Sequence, residues 1–177
     1  DKTEVRRIIS GFSGIVVVDE AYIDFSGDSG FASELDTFPN LVILQTLSKS
    51  FGLAGIRLGL ALASESVISY MLRVKAPYNV NKLTTEAALY AMKNIPVMQA
   101  FVKALNNERS WLINELGTLP AVKKIHPSDS NFLLIVIDQA YQIYKTMADT
   151  GVVIRYRGDQ LHCENTLRIT VGTHLEN

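Results

Sequence analysis

Three groups of polar residues in this sequence have the types and spacing that chemistry requires. Asp19–Tyr22 directly follow the apolar run Ile15–Val18, and Thr46–Lys49 come soon after the run Leu41–Leu44. The third is Arg57, eight positions beyond the lysine and across a glycine-rich turn. Continuous β-branched apolar runs indicate strands that are buried on both faces. We expect all three groups to lie just past the carboxyl ends of strands, where open α/β sheets bind ligands.

The side chains in these groups suit a phosphate and a reactive amine. Thr46, Ser48 and Arg57 offer two hydroxyls and a fork-shaped cation, which match the donors that a phosphate needs. Lys49 is either a second phosphate cation or a nucleophile. Asp19 follows four apolar residues, so we expect it to be only partly solvated and to need a partner. The sequence has no Walker-type phosphate motif, so it is the joint order of the three groups that indicates a phosphate site.

The elements that must position these groups fall into two parts, residues 1–96 and 97–177. The first part alternates strands with helices, as open α/β sheets do, and Ser64 has the position of a helix N-cap. A long helical stretch over Thr84–Leu116, interrupted near Pro96, joins the two parts. The second part has the pattern of a small α+β module. The predicted elements outside the runs above are the helices Asp1–Ile9 and Ala140–Thr150 and the strands Leu58–Ala63, Val122–Ile125, Phe132–Ile137, Val152–Ile154 and Leu167–Val171.

Composition excludes several classes of protein. The chain has 177 residues, 47% of them hydrophobic, and a formal net charge of -1. These values exclude a disordered chain and argue against a surface that coats nucleic acid. The single cysteine, Cys163, excludes a disulfide framework within the chain, and no cluster has metal-ligand spacing. No apolar run approaches the ~20 residues that span a bilayer, and no signal peptide is recognisable, so we expect a cytoplasmic protein.

Three segments together resemble the fold-type I aminotransferases, which use pyridoxal 5'-phosphate. They are Val18–Tyr22, Leu44–Gly59 and Leu167–Thr173, and the resemblance extends over essentially the whole chain. The middle segment is highly specific for pyridoxal-phosphate enzymes, and the last one favours the histidinol-phosphate branch. The resemblance implies an α/β fold, with the second part of a large, mainly parallel-sheet domain followed by a small C-terminal α+β domain. It also implies that the chain is the C-terminal portion of a longer enzyme.

The resemblance assigns a cofactor role to most residues of the three groups. Lys49 corresponds to the lysine that holds the cofactor covalently and then moves the substrate proton. Asp19 corresponds to the carboxylate that keeps the pyridine nitrogen protonated. Tyr22 corresponds to the phenol that hydrogen-bonds the 3-oxygen of the ring. The residues that correspond to part of the phosphate cup are Thr46, Ser48 and Arg57. The remaining cofactor contacts of the family fall outside this sequence.

The resemblance also implies residues that bind substrate. Arg168 corresponds to an arginine that grips an anionic substrate group, and Arg155 corresponds to a second arginine on the substrate side. Two arginines suit substrates that present either a phosphate or a carboxylate. Asn131 matches a position near the substrate, although an asparagine that forms a turn explains it equally well.

The implied reaction moves an amino group between L-histidinol phosphate and 2-oxoglutarate, with glutamate as the other amino compound. The implied assembly is a homodimer, with no nucleic acid and no membrane as partner. One alternative is another enzyme of the same branch, such as an aromatic aminotransferase or a threonine-phosphate decarboxylase. A second is a phosphate-binding module or fragment without catalytic activity.

Overall fold

The structure is a computed structural model that describes residues 1–177, and it divides into two compact units. The first unit is Asp1–Gln99 and the second is Ala100–Asn177. None of the helices is both long and apolar enough to cross a membrane. The assignment of these units to the large and small domains of an aminotransferase stays a prediction.

The first unit contains a small sheet and most of the helices. Its strands are β1 (Val16–Asp19), β2 (Leu41–Thr46) and β3 (Gly59–Ala63). Its helices are α1 (Lys2–Gly11), α2 (Ile23–Ser26), α3 (Glu65–Val74), α4 (Lys82–Lys93) and the start of α5 (Ile95–Gly117). The predicted break near Pro96 is present, because α4 ends at Lys93 and α5 begins at Ile95. Ser64 stands at the N-cap position of α3 but its hydroxyl donates to the Pro39 carbonyl instead of capping the helix.

The central strand β2 sets the direction of its two neighbours. It pairs with β1 in parallel and with β3 in antiparallel orientation, so the sheet is mixed. The expectation that Arg57 follows the carboxyl end of a strand is therefore wrong, because Arg57 precedes β3. Because β3 runs antiparallel to β2, its start lies at the end of β2, where Thr46 pairs with Gly59. Arg57 thus reaches the same edge of the sheet as the ends of β1 and β2.

The two faces of this sheet have different environments. On one face Ile9 of α1, Phe31, Leu41 and Ile43 form a buried cluster. On the other face Val17 is 54% exposed. The prediction that β1 is buried on both faces is therefore wrong, because no element of this unit covers its second face. The prediction holds for the start of β2, where three consecutive residues are buried.

Two ion pairs attach the loop after α2 to α1. Lys2 Nζ lies 2.8 Å from Asp28 Oδ1, and the Arg6 guanidinium donates two hydrogen bonds of 2.8 Å to Glu34. The ring of Phe31 lies beneath both cations, 4.9 Å from Lys2 Nζ and 6.0 Å from Arg6 Cζ. Hydrogen bonds from Lys2 and the Gly30 N–H lower the pKa of Asp28, and those from Arg6 lower the pKa of Glu34.

The second unit packs two helices on an antiparallel sheet. Its strands are β4 (Val122–Ile125), β5 (Phe132–Ile137), β6 (Arg155–Tyr156) and β7 (Thr166–Thr170), in the order β4-β5-β7-β6. The core lies between the rest of α5, α6 (Ala140–Asp149) and the sheet face that carries Leu133, Ile135 and Leu167. The prediction of a strand over Val152–Ile154 is wrong. The Val152 N–H donates to Met147 at the end of α6, so pairing begins only at Arg155.

We expect the loop ion pairs to make stability depend on pH. Because the pKa of Glu34 is lowered on folding, its contribution is present above the unfolded-state pKa of about 4.3 and is lost as the pH falls through the folded-state pKa. Glu34→Gln should lower the free energy of unfolding at about pH 7. The free energies of unfolding at about pH 7 and about pH 3 should therefore differ less in this variant than in the parent. Urea titrations at both pH values measure this. Glu4→Gln, which breaks an exposed pair with Arg7 inside α1, is the control and should have a smaller effect.

Candidate active site

The amine of Lys49 is the most available nucleophile at the edge of the first sheet. Its Nζ lies 5.2 Å from the centroid of the Tyr22 ring. It forms no hydrogen bond or ion pair, and the side chain is exposed. Lys49 opens a tight turn in which the Gly52 N–H donates to the Lys49 carbonyl, and Gly52 takes a φ of +67° that favours glycine. Two predicted site residues from different loops are thus brought together.

Asp19 ends β1 with its carboxylate in the open. Its Oδ1 accepts a hydrogen bond of 2.9 Å from the Ala21 N–H, and the side chain is exposed. The expectation of a partly solvated carboxylate is wrong for this chain, because the face of β1 that carries Asp19 also carries the exposed Val17. Asp19 pairs in register with Leu44 of β2, two residues before Thr46. Since side chains alternate along a strand, Asp19 and Thr46 lie on the same face of the sheet.

The three residues proposed for a phosphate form one loop at the same edge. The Thr46 hydroxyl accepts from the Ser48 N–H at 3.1 Å and donates to the Leu58 carbonyl at 3.3 Å. Arg57 is exposed, and its Nη1 donates to the Ala54 carbonyl at 2.9 Å, which leaves its other N–H groups available. Arg57 has a φ of +53°, a backbone conformation that costs free energy in a residue other than glycine. Such strain concentrates at functional sites, which supports a role for this residue.

Sequence reasoning missed two carboxylates that support the site. The sequence gives Glu20 no role of its own, but it is 6% exposed and accepts hydrogen bonds from the Phe31 N–H and the Gln45 side chain. Asp24 accepts a hydrogen bond from the Ser50 hydroxyl, which ties the Tyr22 segment to the Lys49 segment. The alternation of β1 was a signal for Glu20, because it follows Val16 and Val18 on the core face. No signal in the sequence paired Asp24 with Ser50.

A helix also supports the loop that carries Arg57. The Thr84 hydroxyl in α4 donates to the Ile56 carbonyl at 3.2 Å, and Thr84 is buried. Asn81 caps the same helix by accepting from the Thr84 N–H. The first turn of α4 therefore contacts the backbone directly before Arg57.

The residues predicted to bind substrate lie in the second unit. Arg155 of β6 stands directly opposite Arg168 of β7, so both side chains lie on the same face of the sheet. Arg168 Cζ lies 4.8 Å from the centroid of the Phe132 ring, and its Nε is buried without a hydrogen-bond partner. Asn131 precedes β5, and its carbonyl accepts from the Val171 N–H at 2.9 Å. Neither arginine forms an ion pair with a protein carboxylate, so an anion from outside the chain can bind both.

The groups at the edge of the first sheet fit pyridoxal phosphate. Lys49 supplies an unpartnered amine for its aldehyde, Tyr22 a phenol beside that amine, and Asp19 an open carboxylate for its ring nitrogen. The loop with Thr46, Ser48 and Arg57 supplies donors for its phosphate. With the α/β sheet beneath them, these groups define the pyridoxal-phosphate enzymes of fold type I.

Comparison with known proteins gives the family. The profile of the aminotransferase class I and II family matches residues 1–177. The chain therefore belongs to this family. A histidinol-phosphate aminotransferase from Cytophaga hutchinsonii is 46% identical over 174 residues, which is 98% of this chain and 50% of that protein. The chain thus spans about half the length of the curated relatives it matches.

Solved structures agree with this fold. The histidinol-phosphate aminotransferase from Clostridium acetobutylicum superposes with a TM-score of 0.92 at 21% identity, over 99% of this chain and 55% of that one. The enzyme of the same name from Sinorhizobium meliloti, in complex with pyridoxal-5'-phosphate, has a TM-score of 0.79 at 23% identity, over 92% of this chain and 45% of that one. The α/β fold of the fold-type I aminotransferases, expected from the sequence, is thereby confirmed.

We expect Lys49 to be the residue that pyridoxal phosphate modifies. Incubation of the complete gene product with pyridoxal phosphate, borohydride reduction and peptide mapping should find the pyridoxyl group on Lys49. Lys75 and Lys82, which are exposed in the same unit, are internal controls and should stay unlabelled. Preferential labelling of either would contradict the assignment.

Proposed function

We propose that this chain carries the catalytic lysine and the substrate arginines of a histidinol-phosphate aminotransferase. The enzyme would move an amino group between L-histidinol phosphate and 2-oxoglutarate. The observation that carries the proposal is the free Lys49 amine beside Tyr22, at a sheet edge that also holds Asp19 and Arg57. The relatives named histidinol-phosphate aminotransferase, at 46% identity and below, support the choice of substrate.

Three residues would act directly at the cofactor. Pyridoxal phosphate, when bound, withdraws electrons from the substrate α-carbon. Lys49 would hold the cofactor between turnovers and move the proton between the α-carbon and the C4' atom. Asp19 would keep a proton on the ring nitrogen, because a carboxylate beside that nitrogen favours its charged form. Tyr22 would donate to the 3-oxygen of the ring.

The remaining predicted residues would bind phosphate and substrate. Ser48 and Arg57 would donate to the cofactor phosphate, while Thr46 keeps the loop closed through its bonds to Ser48 and Leu58. Arg168 and Arg155 would bind the anionic end of the substrate, which is a phosphate in histidinol phosphate and a carboxylate in glutamate. The buried Nε of Arg168 without a partner supports this role, since an unsatisfied buried donor costs free energy. Asn131 would contact the substrate from the position directly before β5.

We infer a cytoplasmic homodimer. Helices α3 and α4 and the segment between them expose large apolar side chains, among them Val74, Leu83 and Tyr78, whose exposed fraction is 97%. Exposed apolar surface of this kind supports association with another protein surface. Sedimentation of the complete gene product tests the dimer.

Asp19→Asn should retain cofactor but lose most turnover. The amide cannot hold the ring-nitrogen proton by charge, so kcat should fall at least about a hundredfold, on the scale of ~3 kcal/mol for one key electrostatic partner. Steady-state kinetics of the complete gene product measure this. Asp36→Asn, which removes an exposed carboxylate elsewhere in the unit, should leave kcat unchanged. An Asp19→Asn variant within about twofold of the parent would place Asp19 outside the chemistry.

A substrate panel separates the proposed reaction from its rivals. With 2-oxoglutarate as acceptor, kcat/KM of the complete gene product should be higher for histidinol phosphate than for phenylalanine and tyrosine. O-phosphothreonine should not be decarboxylated.

We expect the 177-residue chain alone to show no measurable turnover, because it covers about half of its relatives' length. Intact mass of the sample identifies which protein was assayed. Preference for an aromatic amino acid would move the function to an aromatic aminotransferase.

A further inference from the structure

Glu20 is a buried carboxylate to which the proposed chemistry gives no role. Its Oε1 accepts a hydrogen bond of 2.7 Å from the Phe31 N–H, and its Oε2 accepts one of 3.0 Å from Gln45 Nε2. Only 6% of the residue is exposed. A buried carboxylate is costly unless such bonds satisfy it, so both bonds constrain the position of the side chain.

The loop that meets Glu20 is itself fixed to the scaffold. Gly30 approaches so closely that a Cβ there would lie 2.7 Å from both carboxylate oxygens, and its φ of +67° also requires glycine. Lys2 of α1 donates to the Gly30 carbonyl and pairs with Asp28. Phe31 packs in the buried cluster of α1 and the sheet. Glu20 is therefore hydrogen-bonded to a loop that is itself fixed to α1 and the core.

Glu20 also controls two residues of the candidate site through the backbone. Successive side chains of an extended chain point to opposite faces, so Glu20 faces the core while Asp19 faces the open side. The same alternation places Gln45 on the face of Glu20, and Thr46 on the face of Asp19. The Glu20 N–H donates to the Leu44 carbonyl at 2.8 Å. The Glu20–Gln45 bond thus joins the ends of β1 and β2 directly behind Asp19 and Thr46.

We propose that Glu20 is a positioning residue that fixes Asp19 and Thr46 for the cofactor. This inference rests on the proposed function, since it assumes that Asp19 faces pyridoxal phosphate and that Thr46 holds the loop whose Ser48 and Arg57 bind the phosphate. Glu20 acts from the opposite face of the sheet and touches neither cofactor nor substrate. Removal of the Glu20 side chain should weaken cofactor binding more than the accompanying loss of folding stability can explain.

The experiment compares Glu20→Ala, Glu20→Gln and Asn40→Ala in the complete gene product. Asn40 is the matched control, because its side-chain amide nitrogen lies 3.0–3.1 Å from the carbonyl oxygens of Ile9, Phe12 and Gly14 and shares its two N–H groups among them. These contacts join α1 and the turn after it to the other end of the same two strands. Three quantities are measured for each protein: the dissociation constant for pyridoxal phosphate, the rate of its covalent capture at Lys49, and the urea midpoint of unfolding.

Glu20→Ala should raise the dissociation constant about tenfold and slow capture at Lys49, because it removes both hydrogen bonds that hold the ends of β1 and β2. Glu20→Gln should stay within about twofold of the parent, because its oxygen still accepts from Phe31 and Gln45 can reverse its amide. Asn40→Ala should lower the urea midpoint while its dissociation constant stays within about twofold of the parent. This pattern separates positioning from general stability.

Two results would overturn the proposal. One is Glu20→Ala binding pyridoxal phosphate as tightly as the parent. The other is an Asn40→Ala variant whose urea midpoint falls and whose dissociation constant for pyridoxal phosphate rises as much as that of Glu20→Ala. Failure of the parent itself to capture pyridoxal phosphate at Lys49 would instead contradict the proposed function.

A milder variant decides the matter where Glu20→Ala fails to fold. Folding of Glu20→Ala is expected, because Glu20 and Gln45 border a cavity of about 320 Å³ from which water can reach the Gln45 amide. Gln45→Met removes one of the two bonds and leaves the Phe31 bond intact. It should raise the dissociation constant severalfold, and an unchanged constant would overturn the proposal.

Discussion

The opposite pairing of β2 with its two neighbours is the constraint on which the first unit depends. A parallel partner brings the end of β1, with Asp19, to the end of β2, and an antiparallel partner brings the start of β3 there as well. Arg57 consequently reaches the candidate site from a strand that runs the other way. A sheet in which β3 ran parallel would carry Arg57 to the far edge.

The chemistry at this edge depends on packing on the opposite face. The core of α1, Phe31 and the sheet holds the backbone of β1 and β2, and Glu20 and Gln45 extend that core to the carboxyl ends of both strands. The loops beyond the strands are held by polar contacts, Asp24 with Ser50 and Thr84 with the Ile56 carbonyl. Lys49 and Arg57 can therefore stay exposed, and Tyr22 partly exposed, without losing their arrangement.

Much of this fold follows from local patterns in the sequence. Phe132–Ile137 was predicted with its observed bounds, and the break at Pro96 is present, because continuous apolar runs and proline are strong local signals. Strand direction and exposure are not local properties. The sequence alone therefore misplaced Arg57 relative to β3, buried both faces of β1, and began β6 three residues early.

The candidate site shows the same limit. Its reactive residues were identified by resemblance to a family, and the structure brings Tyr22 to Lys49 as that resemblance implies. The supporting residues Glu20 and Asp24 were not identified, because the residue type does not show whether a carboxylate supports the fold or faces water. Ser64 is the converse case: a good capping residue at the right position donates elsewhere.

The arginine pair of the second unit has a thermodynamic consequence. Like charges directly opposite each other on neighbouring strands repel, so Arg155 and Arg168 weaken the folded sheet while no anion lies between them. An anion that binds the pair relieves this repulsion and, by linkage, stabilises the folded state by an amount that grows with the ratio of its concentration to its dissociation constant. The melting temperature of the second unit is thus an indirect measure of anion affinity. Phosphate and dicarboxylates would raise it more than chloride does at equal ionic strength.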